Sequence, residues 1–168
     1  MERTLLLSLL LTAIGLLGQV QKPVDPLNRR DLIPFLIDIP GYKGEKPEGS
    51  TTGLAGLKVT IVSRGYTKGD NSLRIEITDG SCVPMASASF RALEANEIDT
   101  SEELLRKMTI QGFPAMENIR FENKHASVLI LIAERFLINI EGEGFKDTSK
   151  VKEVAEKIDL KKLEKLAK

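Results

Sequence analysis

Residues 128–144 read VLILIAERFLINIEGEG, and the fold follows from how that stretch divides. Val128 to Ala133 is apolar at every position, as in a central strand covered on both faces. Glu134-Arg135 then reads as a tight turn. Phe136, Ile138 and Ile140 alternate with Leu137, Asn139 and Glu141, the period of a strand with two different faces. Gly142-Glu143-Gly144 ends the sheet. Two strands joined by so short a turn must be antiparallel neighbours.

Working outward, the same period recurs on both sides. Ala115, Glu117, Ile119 and Phe121 alternate ahead of a turn at Glu122 to His125, and Met108 and Ile110 begin a meander that Gly112 and Pro114 interrupt. Further upstream, Leu57, Val59 and Ile61 alternate with Lys58 and Thr60, and Leu73, Ile75 and Ile77 with Arg74, Glu76 and Thr78, on either side of the turn-rich TKGDN at 67–71, which predicts a hairpin. Asp79-Gly80-Ser81 stops its second strand. Residues 40–56 carry Pro40, Gly41, Gly44, Pro47, Gly49 and Gly53, and this density reads as a loop.

Helices occupy the remainder. A turn of helix is expected within Asp31–Ile39, bounded by Pro34 and Pro40. Pro84 suits the first turn of a helix over 84–93, with Met85, Phe90 and Leu93 on its buried side and a small-residue run, Ala86 to Ser89, that lets backbone come close. Val151, Val154, Ala155 and Ile158 recur at helical spacing, and Asp159 is placed to cap a second short helix with Leu160, Leu163 and Leu166 inward. The fold class is α+β: an antiparallel sheet of hairpin, helix and meander, flanked by helices and closed by a C-terminal amphipathic helix.

The segment ahead of this domain has another character. Residues 5–17 (LLLSLLLTAIGLL) are uncharged and follow Arg3. Thirteen residues of helix span roughly 20 Å, short of a hydrocarbon core of roughly 30 Å, and the length fits a signal-peptide core. Cleavage after Gly15 and after Gly18 are both compatible with the small residues present, as is an uncleaved anchor, the one route to membrane contact. Gln19 stands where a bacterial lipoprotein carries its acylated cysteine, which excludes a lipid anchor there. The organisation is then residues 1–18 as signal, 19–30 as linker and 31–168 as one domain, exported to the periplasm or an equivalent compartment.

Composition narrows the chemistry. Among 168 residues, 24 bases balance 24 acids, against a general nucleic-acid binder. One histidine and one cysteine cannot build a structural zinc site. His125 lacks a G-x-S-x-G partner motif, and Gly142-x-Gly144 has Asp147 where a dinucleotide loop needs glycine. No cofactor is implied. Asp70 lacks calcium-loop spacing. Six Phe, two Tyr and no Trp offer little for stacking sugars or bases. The C-terminal residues 146–168 hold eight lysines against five acids, the pattern of a solvated helix face.

What remains are three readings. In the first, the chain is a non-catalytic binding or interaction module. Its contacts to a protein partner would come from the acidic stretch 94–103, with Glu94, Glu97, Asp99, Glu102 and Glu103, and from the loop 41–53. In the second it carries a small apolar ligand or lipid in a pocket lined by Met85, Ala86, Ala88 and Phe90. In the third it is an enzyme using Cys82 or a carboxylate pair such as Glu102/Glu103 or Glu141/Glu143.

The C-terminal third also carries a resemblance. MTIQGFPA at 108–115, VLILIAERFLINIEGEGF at 128–145 and VKEVAEKIDLKKL at 151–163 resemble the C-terminal half of small, largely uncharacterised exported bacterial proteins of PsbP-like build. The matching positions are Ile110, Gly112, Phe113, Ala115, Arg135, Phe136, Ile140, Gly142, Gly144, Val154, Ala155, Ile158 and Asp159. The resemblance implies an antiparallel sheet flanked by helices and an exported protein. It implies no activity.

Overall fold

The computed structural model describes residues 25–54, 57–80, 83, 90–91 and 97–168. The expected signal peptide, Cys82, Met85, Ala86, Ala88 and Glu94 lie outside them.

Strands dominate. The chain enters through a one-turn helix α1 (Arg29–Leu32) that runs into a 3-10 turn (Ile33–Phe35). There follow β1 (Lys43–Gly44), β2 (Glu48–Leu54), β3 (Leu57–Lys68), β4 (Asn71–Gly80), β5 (Ile98–Asp99), β6 (Glu103–Ile110), β7 (Phe113–Arg120), β8 (His125–Ile132) and β9 (Phe136–Glu143). Two short helices, α2 (Ser149–Lys157) and α3 (Leu160–Lys165), close the chain. The α+β reading therefore holds in its coarse form, a mostly antiparallel sheet with a few short helices.

All strands join one antiparallel sheet in the order β1-β3-β4-β9-β8-β7-β6-β5, with β2 also on β3. β4 pairs with β9 over its length, so the first hairpin and the last are side by side in the middle. Reaching β5 from β4 takes the chain from the centre of the sheet to its far edge. Val83 and Phe90, described along that path, are buried with Met116 and Leu131.

Register assigns the faces. Ile75, Ile77, Ile138, Ile140, Val128 and Ile130 share one side and form the main core with Leu32, Phe35, Val151, Val154, Leu160 and Leu163 from the helices. The other side carries Arg74, Glu76, Asn139, Glu141 and Ser127 at one end, and Leu137, Leu129, Leu131 and Met116 at the other. β8 is thus buried on its core face and only part of its second face is apolar. Asp159 caps α3 by accepting from the Lys162 amide at 2.9 Å, as its position implied.

Four expectations need correction. Residues 40–56 are not a loop throughout, since they hold β1 and β2. These two strands follow one another along the same edge of β3, and the three residues 45–47 between them oppose only Arg64 and Gly65, a β-bulge at an edge where Pro47 need not donate. Gly49 reflects packing, because a Cβ there would meet Val62 Cγ1 at 2.8 Å. Asp79 and Gly80 do not stop β4. They are its last two residues, and Asp79 is fully buried. The acidic stretch contains β5. The last turn is built on Ala133 and Glu134, both with left-handed backbone (φ 51° and 53°), with Arg135 beyond the corner.

The stretch read as linker is attached where it is described. Leu27 packs on the core and its amide donates to Asp79 Oδ2 at 2.7 Å. Further along, Arg64 gathers the segment after α1: Nη1 donates to Leu36 O, Nε to Glu45 O, and Nη2 pairs with Asp38 at 2.8 Å. Tyr66, fully buried beside it, donates its hydroxyl to Ile37 O at 2.7 Å, and burial pushes that phenol up to about 12.

Candidate functional site

The acidic loop is well ordered by its own chemistry. Thr100 Oγ1 accepts from the Glu102 and Glu103 amides and its own amide donates to Glu103 O. Glu97, Asp99 and Glu102 are exposed. Glu103 is half-buried and accepts from Asn118 Nδ2 at 2.6 Å. A hollow of about 360 Å³ opens here between Glu102, Glu103, Arg120 and Glu122. Four of the five predicted acids therefore do gather at one end of the sheet. Glu103 is occupied by Asn118.

The expected apolar pocket is represented among the described residues by Phe90, which is 1% exposed and packed with Val83, Met116 and Leu131. Glu141 and Glu143 lie two apart on one face of β9, each with a partner of its own: Asn139 Nδ2 for Glu141, and His125 Nδ1 at 2.7 Å for Glu143. His125 is consequently not a free turn residue but the first residue of β8, half-buried and held by a carboxylate. No serine is hydrogen-bonded to it among the described residues. Nor do three His, Cys, Asp or Glu side chains converge there as a metal would require. None of the described helices is long and apolar enough to cross a membrane.

The larger opening was not anticipated as a site, although the segment that walls it was. A groove of about 600 Å³ runs along the β2 edge. Lys46 and Pro47 come to it from the bulge, Glu48 and Ser50 from β2, Ser63 from β3, Arg74 from β4, and Arg29 from α1. The register explains the gathering. Ser50 pairs with Ile61, Glu48 with Ser63 and Ser63 with Glu76, so these side chains share the face that the helices leave uncovered. The bulge brings Lys46 to the same opening, as edge bulges do when they re-aim a side chain.

The guanidiniums in this groove are held at short range by neutral acceptors. Arg74 Nη2 donates to Ser63 Oγ at 2.7 Å and makes a longer ion pair with Glu76 at 3.7 Å. Arg29 Nη1 donates to the Gly49 carbonyl at 3.2 Å and has no carboxylate partner among the described residues. Elsewhere Arg64, Arg91, Arg106 and Arg135 each contact a carboxylate directly. The sequence signal for this site was thin, since residues 29, 46 and 74 share no motif and come together only through the sheet.

No family model matches the chain, and comparison with curated proteins and with solved structures likewise returns no match.

Proposed function

We propose that this chain is an exported, non-catalytic binding module that holds its ligand in the groove at the β2 edge. The scaffold is read as an α+β frame of hairpin, helix and meander, rigid enough to present an edge and its loops. One observation carries the assignment: a 600 Å³ opening lies beside a bulged edge strand and is lined by two arginines, Arg29 with no carboxylate partner among the described residues and Arg74 with only a long ion pair to Glu76 at 3.7 Å. The acidic loop has the smaller hollow and ties one of its carboxylates to Asn118, so we give it the lesser part, as a contact surface for a protein partner.

The test is native mass spectrometry of the protein recovered from its exported compartment, compared with Ser50→Trp, which fills the groove from an exposed position. A non-covalent adduct or partner on the wild-type protein that Ser50→Trp loses, with an unchanged melting temperature, supports the reading. A clean wild-type mass, or an adduct that survives Ser50→Trp, overturns it.

A further inference from the structure

We infer that the groove selects oxyanions, with a phosphate or sulfate ester as the ligand class; the inference rests on the groove being the binding site. Three cations line it, Arg29, Lys46 and Arg74, against one lining acid, Glu48. That is an excess of two positive charges among the lining residues, and of one when Glu76, 3.7 Å from Arg74, is counted, in a chain whose acids and bases balance overall. Glu141 stands opposite Arg74 on β9 with its own partner, Asn139.

The arginines have the geometry for the task. A guanidinium presents five donors in a fixed plane and matches an oxyanion with two parallel hydrogen bonds. In the groove each arginine is fixed through one terminal nitrogen to a neutral acceptor: Ser63 Oγ for Arg74, the Gly49 carbonyl for Arg29. Arg74 also makes a long ion pair with Glu76 through the same nitrogen, at 3.7 Å, and its Nε and Nη1 bond to no group among the described residues. Ser63 is itself 7% exposed, so the group that holds Arg74 is built into the sheet. Arg74 pairs with Gly65 on β3, a position without a side chain, and the Glu45 carboxylate stands over that glycine without forming an ion pair with Arg74. Ser50, on the same face, adds a hydroxyl donor.

Arg120 makes the contrast. It lies in the hollow with Glu102, Glu103 and Glu122, where an anion meets three acids. Glu48 gives the inference a sign. If the ligand is an anion, removing that charge strengthens binding; if the ligand is a cation or a neutral molecule held by Glu48, removing it weakens binding.

The experiment is calorimetric titration of the full chain with inorganic pyrophosphate at two ionic strengths, joined to sedimentation with phosphatidylglycerol and with phosphatidylcholine vesicles. We expect pyrophosphate binding that weakens at least tenfold in Arg74→Gln and in Lys46→Gln, strengthens severalfold in Glu48→Gln and is unchanged in Arg120→Gln. Sedimentation with phosphatidylglycerol alone, competed by pyrophosphate, assigns the oxyanion to a lipid headgroup. Pyrophosphate binding without sedimentation assigns it to a soluble ester. Absence of binding to either probe, or binding that Arg74→Gln and Lys46→Gln leave unmoved, overturns the inference. A native adduct that Ser50→Trp displaces but that carries no oxyanion also overturns it, and leaves the binding-module reading standing.

Discussion

The guanidinium of Arg135 closes on the fully buried carboxylate of Asp79, Nε to Oδ1 at 2.9 Å and Nη2 to Oδ2 at 3.2 Å. The same side chain reaches Asp25 O and Ala167 O, and Asp79 accepts from the Leu27 amide. One pair at the end of β4 thus fastens the first described residues and the last helix to the sheet. The groove at the β2 edge begins two residues after Leu27, at Arg29.

Arg135→Ala leaves Asp79 buried without its cation, and a carboxylate stranded in that way costs about 3–5 kcal/mol. The expected result is a lower urea midpoint with unchanged m-value, together with faster trypsin cleavage at Arg29 and Arg30 as the arm is released. The double variant Arg135→Met, Asp79→Leu should lose less than the sum of the singles, because it removes the stranded charge. Equal cleavage rates in Arg135→Ala and wild type would mean that the arm is fastened by packing alone.

Glu117 sets the response to acid. It is 1% exposed on the helix side of β7 and burial opposes its ionisation. Hydrogen bonds from Thr148, Lys152 (2.9 Å) and Arg106 (2.8 Å through Nε) outweigh burial and hold the carboxyl down at about 2 from 4.5. A folded-state value below the unfolded one contributes stability that is complete above the unfolded value and lost as pH falls from about 5 towards 2. A shift of this size is worth about 3 kcal/mol at neutral pH. Urea midpoints from pH 7 down to pH 2.5 should fall for wild type and stay flatter for Glu117→Gln, with the two curves converging in acid.

The elements that sequence made legible are those where one face meets oil and the other water. The spacing of Val151, Val154, Ala155 and Ile158 marks α2, and all four are buried. Alternation marks β4 and β9, which turn one face to the helices. β2 was illegible because its glycines signal loops, whereas Gly49 is required by Val62 across the strand pair and by Arg29 of α1 beside it. Asp79 with Arg135, 56 positions apart, and Arg29 with Lys46 and Arg74, leave no pattern in a linear chain. Such groups meet through strand order, which a sequence fixes only by its total energy.

Phe90 discriminates between a packed second face and a ligand pocket there. With Val83, Met116 and Leu131 around it, the ring is part of a small core, and deleting it leaves a cavity. Phe90→Ala should cost about 3–5 kcal/mol in chemical unfolding. An apolar carrier site would behave otherwise: the cost would be near zero, and a saturating fatty acid would raise the melting temperature of the wild type but not of the variant.

The β8–β9 turn holds two residues with side chains, Ala133 and Glu134, in left-handed backbone. That region costs an L-residue roughly 1–2 kcal/mol through Cβ crowding, a penalty glycine escapes at the expense of a freer unfolded chain, about 0.4–1 kcal/mol. Ala133→Gly should therefore stabilise the protein by about 1 kcal/mol, read as a rise in melting temperature of about 2–4 °C. Glu134→Gly should gain less, because it also removes the partner of Arg91 at 2.5 Å, an exposed pair. The turn delivers Arg135 into its contact with Asp79, so the gain from Ala133→Gly should persist in Glu117→Gln and shrink in Arg135→Ala. If Ala133→Gly instead lowers the melting temperature, the strained corner is fixing Arg135 in place, and its rigidity matters more than its strain.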